Sequence, residues 1–388
     1  MSLLTRLLWR LPPRRGLVLA AAVAAKQGLR QARPRPSGDG ARAKGRTRRV
    51  VVGGAGAIAG GLSLSAFSLF SRDTQEEKEK DAKEEENGAT EEDAIIFLLK
   101  KAKLNIMKGE LDEAERILHE AARRSHQSDN KAAIIYTYDT MANLAFLRGQ
   151  LEHAEKLFKA AMSYLLAGDM KQDDNAILEM SLKLASIYAA QNQDKLALAG
   201  YEFCILTLEE KIAKQKALPA DALSEEERTD TRLLLGMSLD SYARYLLVHK
   251  RAAVAQRMYE RALQISAEVQ GEAHPQTVVL MNDLATALDA QGRYEEAHVR
   301  ATRAWELARQ TEHPERYVVL NNLAGILMHK GDYAQARAAY NEALKQAEEA
   351  GDGASVRHIQ KELAELAKRR KQAKSADDLP KGGEPAGK

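Results

Sequence analysis

The stretch that most constrains this chain lies between Gln276 and Ala347, where the sequence says the same thing twice. Leu284-Ala285, Leu288, Gly292, Tyr294 and Ala297 are answered by Leu323-Ala324, Leu327, Gly331, Tyr333 and Ala336, each 39 residues later. Self-similarity at a period of about 20–50 residues marks a stacked array, not a domain with one central core. Carrying the register toward the N-terminus finds the marker alanine again at Ala255, Ala197, Ala154 and Ala114. That makes six units, separated by 40, 43, 58, 42 and 39 residues. Four positions beyond each marker stand Leu118, Phe158, Tyr201, Tyr259, Ala301 and Tyr340. Three further on stand Ala121, Ala161, Cys204, Ala262, Ala304 and Ala343. Turn dipeptides precede most markers: Lys108-Gly109, Arg148-Gly149, Gln191-Asn192, Gln291-Gly292 and Lys330-Gly331.

Each unit therefore reads as helix A, a short turn and helix B. Two antiparallel helices at contact distance need small side chains where they cross, which the alanines supply. One unit alone leaves an apolar face uncovered, and stacking buries it. The expected fold is all-α, a solenoid of about six helix-turn-helix units over residues 93–372, closed by a C-terminal capping helix. Thr90-x-x-Asp93 has the form of a capping box opening the first helix. The 58-residue separation holds an insertion. Helix B of the third unit runs on to about Lys216, Pro219 breaks it, and Ser224-x-x-Glu227 restarts the chain. Residues 217–224 are expected as an exposed loop, and the lengthened helix pair as a lip. Ala354 to Lys371 carries a narrow stripe of Val356, Ile359, Leu363 and Leu366, as a capping helix requires. Residues 373–388 read as a disordered tail.

Ahead of the repeats the charge is segregated. Residues 1–49 hold thirteen Lys/Arg and one acid, Asp39, with Leu3, Leu4, Leu7, Leu8 and Leu11 on one helical face. Amphipathic, Arg-rich and acid-poor describes a mitochondrial transit peptide. A secretory signal is the rival, because Leu17 to Ala25 is apolar, but the long basic run behind it favours import into mitochondria. A nucleic-acid-binding arm is the third reading and lacks interleaved aromatics. Residues 50–71 carry no charge and are a candidate transmembrane helix, weakened by five glycines. Within them Gly54-x-Gly56-x-x-Ala59 mimics a dinucleotide-binding fingerprint, but no βαβ pattern surrounds it. Residues 72–92 form an acidic linker expected to be disordered. If the span is retained, its basic flank stays on the matrix-like side and the solenoid lies across the membrane. The expectation is thus a single-pass inner-membrane protein with its C-terminal domain in the intermembrane space. The alternative is removal of residues 1–71 on import.

Chemistry is quiet. The histidines form no metal-binding spacing, and no P-loop, EF-hand or nucleophile elbow is present. His274 and His313, each before a proline, read as helix caps. Cys204 replaces a packing alanine, so it reads as a buried thiol. No enzyme activity, cofactor, small-molecule substrate or nucleic-acid partner is expected.

The repeat pattern resembles the tetratricopeptide repeat family. The lengthened period, with Gly271-Glu272-x-His274-Pro275 and His313-Pro314 between units, resembles its kinesin-light-chain type. The fourth unit departs from the pattern, with Lys250 where glycine is expected. The resemblance implies a groove lined by the A helices, with ligand-facing positions two before and two after the leucine that precedes the helix A alanine. Those positions are Asp139 and Asn143, Leu182 and Ser186, Asp240 and Arg244, Asn282 and Thr286, and Asn321 and Gly325, with Asn322 adjacent. Amides both donate and accept, which suits an extended peptide main chain. The Lys-Asn pair with which chaperone-tail clamps of this family grip a carboxylate is missing, since Asp139 precedes Asn143.

Stretches such as AKLNIMKGELDEAERILHEA, YTYDTMANLAFLRGQLEHAEKLFKAAMSYLL and AGYEFCILTLEEKI go beyond the general consensus and resemble one mitochondrial branch of the family. That resemblance implies an inner-membrane adaptor for respiratory complex III, supporting its assembly or maintenance in the electron-transport chain. It also implies a part in turnover of the Rieske iron–sulfur subunit and clearance of its fragments, with degradation left to a mitochondrial protease. The competing function is a general import or assembly cochaperone holding helical or extended peptides in the groove.

Overall fold

The structure, a computed structural model, describes residues 90–168, 170–219 and 222–377. The leader 1–49, the uncharged segment 50–71, nearly all of the acidic linker 72–92 and the residues from 378 onward lie outside it. Among the described residues there are thirteen helices and no strand. In chain order these are α1 (Glu91–Lys108), α2 (Leu111–Gln127), α3 (Lys131–Leu147), α4 (Leu151–Ala167), α5 (Asn175–Ala190), α6 (Asp194–Ala217) and α7 (Glu225–Val248). They continue with α8 (Ala252–Gln270), α9 (Pro275–Asp289), α10 (Tyr294–Gln310), α11 (Arg316–Lys330), α12 (Tyr333–Glu349) and α13 (Gly353–Asp377). Odd-numbered helices through α11 are the A helices, even-numbered ones the B helices, and α13 is the cap. The all-α repeat architecture is thus the one the sequence implies.

Two compact units divide the chain. The first takes α1 to α4 and the end of α5 from Ser186; the second takes Lys171–Ala185 and everything from Lys195. In both, the repeat register is the packing register. All six marker alanines, from Ala114 to Ala336, are fully buried, and so are their partners seven residues on. The position between them is buried too, from Leu118 and Phe158 to Tyr340. Small residues let the helices close, and the bulky one fills the space left between them.

Turn chemistry explains where the helices stop. After α1, α3, α9 and α11 the chain passes through Gly109, Gly149, Gly292 and Gly331, all at φ between 73° and 92°. The third and fourth turns reach the same left-handed region without glycine, through Asn192 at φ 60° and Lys250 at φ 61°. Asparagine tolerates that region, whereas lysine is strained there. The geometry of the turn is therefore kept where the residue departs from the pattern.

Most of the insertion lengthens the two helices, and the described residues between them, 218, 219 and 222–224, are not helical. α6 and α7 are 24 residues each, against 15 to 19 in the other paired helices. Their extra turns are tied to the start of α5 and to each other. Lys211 Nζ donates to the Asp173 carbonyl at 2.6 Å and to Asn175 Oδ1 at 2.9 Å. Gln215 Nε2 donates to Thr231 Oγ1 at 3.1 Å, and Arg228 donates to the carbonyls of Gln215 and Pro219. Ser224 and Glu227 form the capping box that starts α7, as Thr90 and Asp93 do for α1. At the other end Asp352 caps α13, accepting from the backbone N–H groups of Ala354 and Ser355 at 3.1 Å. Ile359 and Leu366 are buried beneath the cap, and the helix continues to Asp377.

Candidate functional site

The candidate groove residues fall into two sets, each within one unit. In the first unit Asn143 Nδ2 donates to Asp139 Oδ2 at 3.0 Å along α3, and Ser186 lies on the end of α5. In the second unit Asp240, Arg244, Asn282, Thr286, Asn321 and Asn322 are carried by α7, α9 and α11. None of the nine is fully exposed, and Asp240, Asn282 and Asn321 are buried. The other six are partly exposed.

In the second unit they join into one polar seam. Arg244 pairs with Asp240 one helical turn earlier, its Nε donating to Oδ1 at 3.1 Å. Asn322 Nδ2 on α11 reaches across to Asn282 Oδ1 on α9 at 3.2 Å. Asn282 Nδ2 donates to Asp283 Oδ1, and Asn321 Nδ2 to Asn322 Oδ1, both at 3.4 Å. Loss of solvent pushes the Asp283 carboxyl up, while the positive charge of Arg244 and the Asn282 hydrogen bond pull it back. The seam ends in a spare acceptor: Asn321 Oδ1 is buried and makes no hydrogen bond among the described residues. An unmet buried acceptor calls for a donor, and a peptide N–H is one.

Sequence reasoning missed Asp283 and a second buried pair, Lys183 Nζ to Glu179 Oε1 at 3.0 Å on α5. A signal was present. Thr140, Lys183, Ser241, Asp283 and Asn322 occupy one register position of successive A helices, and all five are polar. Leu182 and Gly325 bring no polar side chain to the seam. The Cβ position of Gly325 lies 3.4 Å from the Tyr340 hydroxyl.

The other candidates take structural parts. Cys204 is buried, burial pushes its thiol up to about 12, and its Sγ–H faces the Leu178 carbonyl at 3.5 Å. A protonated thiol at neutral pH is a packing group. His274 caps α9 as expected, its Nδ1 accepting the Gln276 N–H at 3.2 Å, whereas His313 holds the turn before α11, its Nδ1 accepting the Glu315 N–H at 3.1 Å, and Glu315 is the N-cap residue. Among the described residues no group of three or more His, Cys, Asp or Glu side chains is placed to hold a metal ion. No described helix is long and apolar enough to cross a membrane, and the candidate span 50–71 lies outside the described residues.

Paired helices with alanine crossings and a polar seam on the A helices define a tetratricopeptide repeat protein. The tetratricopeptide repeat family profile matches residues 235–310 and 315–379. The chain is 61% identical over 311 residues to human tetratricopeptide repeat protein 19, mitochondrial, covering 79% of this chain and 82% of that one. It is 54% identical over 326 residues to the mouse protein of that name, covering 84% and 87%. To the Drosophila melanogaster homologue it is 26% identical over 226 residues, 58% of each chain. This chain belongs to the tetratricopeptide repeat protein 19 family, whose members are named as mitochondrial. Among solved structures it is similar to BtubC from P. vanneervenii, with 18% identity and a TM-score of 0.49 over 63% of this chain and 92% of that one. A putative kinesin light chain from Podosopora anserina shows 22% identity and a TM-score of 0.39 over 58% and 94%.

Proposed function

We propose that this chain is a non-enzymatic adaptor of the mitochondrial inner membrane that binds respiratory complex III. In this reading it supports turnover of the Rieske iron–sulfur subunit and clearance of its fragments, and a separate protease does the cleavage. The observation that carries the reading is 61% identity across 311 residues with a mitochondrial protein of the same repeat family. The stretches beyond the repeat consensus that imply complex III fall within the repeats. The polar seam supplies the chemistry: amide donors and acceptors, with one acceptor free at Asn321, match an extended polypeptide better than a small molecule. The basic leader and uncharged segment support import and a single anchor, with the repeats in the intermembrane space.

Two measurements test this. Protease added to mitoplasts is expected to digest the C-terminal repeats, while intact mitochondria protect them. On native gels the full chain is expected to migrate with complex III. Asn282→Ala with Asn322→Ala is expected to weaken that association at least tenfold while leaving helicity unchanged. A freely soluble monomer in mitochondria would sink the reading. Binding to many peptides without regard to complex III would favour a general cochaperone.

A further inference from the structure

Four outward positions recur on every B helix: one before the marker alanine, and two, six and nine after it. In α2 they hold Glu113, Arg116, Glu120 and Arg123, and in α4 His153, Lys156, Ala160 and Ser163. In α8, α10 and α12 at least two of the four are charged or amide side chains. Only α6 is apolar at all four, with Leu196, Ala199, Phe203 and Leu206. These side chains do not fold back into the core: Leu196 is 50%, Phe203 42% and Leu206 64% exposed. The opposite side of the helix is already used, by Tyr201 stacked on Tyr242 and Cys204 against α5.

The spacing 196, 199, 203, 206 is that of alternating core positions of a two-heptad coiled coil, the narrow seam that one helix presents to another. We propose that this face of α6 is a self-association surface, which packs antiparallel against α6 of a second copy of this chain. The pattern is self-complementary about its own centre. With the two helices reversed, Leu196 meets Leu206 of the second copy and Ala199 meets its Phe203, a small residue opposite a large one, twice over. The flanking residues at heptad spacing are Lys195, Glu202 and Glu209. Reversal sets Lys195 beside Glu209 of the second copy at both ends, where it would share a carboxylate that Arg261 of the same chain already pairs. Only the central Glu202 faces its own kind. A parallel pair would instead stack Phe203 on Phe203 and leave Ala199 opposite Ala199, wasting volume. The exposed stripe offers roughly 300 Å² per copy, below the about 800 Å² per partner of a stable interface, so the pair is weak and concentration-dependent.

Cysteine cross-linking of the full chain tests both the surface and its direction, since Cys204 is buried and out of reach. Leu196→Cys and Leu206→Cys proteins are oxidised separately and after mixing. A disulfide-linked dimer is expected from the mixture and from neither alone, because like positions lie about ten residues, roughly 15 Å, apart in the antiparallel pair. Sedimentation equilibrium of the unmodified chain is expected to show an average mass rising with concentration, and Leu206→Glu to hold it at the monomer. A dimer from either single variant would overturn the antiparallel arrangement. No mass increase at any concentration would overturn the surface, and so would cross-linking in mitochondria to a different protein only.

Discussion

Lys250 and Gly200 show how much one residue can carry in a repeat array. Lys250 holds a left-handed turn at φ 61° that glycine holds in four sister units. The region costs a non-glycine residue about 1–2 kcal/mol, and glycine's larger unfolded entropy returns about 0.5–1 kcal/mol of any gain. Lys250→Gly is therefore expected to stabilise the chain by about 0.5–1 kcal/mol, read as a higher denaturation midpoint in urea. A lower midpoint would show that the lysine is held by contacts worth more than the strain. Gly200 is the reverse case. A Cβ there would stand 2.7 Å from the Ala185 Cβ, closer than two such carbons can approach. Gly200→Ala is expected to cost about 1–3 kcal/mol, because α5 and α6 must part. The repeat pattern pointed to neither this contact nor its size, since the marker positions name small residues without measuring the gap between helices.

At the scale of an element, α13 depends on a single carboxylate. Asp352 accepts from the Ala354 and Ser355 amides, from Ser355 Oγ at 2.7 Å and from the Tyr317 hydroxyl at 3.0 Å. Desolvation alone would raise its pKa, but these hydrogen bonds outweigh it and hold the carboxyl below its usual value. A folded-state pKa lowered in this way contributes stability that is complete above the unfolded value near 4. That contribution is lost as pH falls through the lower folded value. The cap is thus expected to loosen below about pH 4 and to be insensitive to pH between about 5 and 8. Asp352→Asn should flatten part of that acid limb, seen as a smaller fall in thermal midpoint between pH 5 and pH 3. An unchanged acid limb would refute the assignment. The sequence placed the capping helix and its stripe, and Ile359 and Leu366 are buried as that stripe requires. Its first contact was not legible, because Tyr317 lies 35 residues away on α11.

Across the whole molecule, stability in a repeat array is carried by neighbour contacts, so damage should stay local. Ending the chain after Ala350 removes α13 and leaves the side of α11 and α12 that it covers bare. Hydrogen exchange is expected to quicken in α11 and α12 and to stay unchanged in α1 to α4. Equal loss of protection in both units would mean the array unfolds as one block. The sequence by itself determined the number of repeats, the helix pairs and the residues at their crossings, because periodicity and turn chemistry are local and repeat six times. Its candidate seam residues lie on the A helices, but the pattern does not say what they face. Whether Asn282 faces water or Asn322, and whether Asp283 is solvated or pressed against its neighbours, depends on how residues 40 apart are brought together. Only the tertiary structure decided that, since burial and hydrogen bonding belong to the packed helices and not to any one stretch of chain.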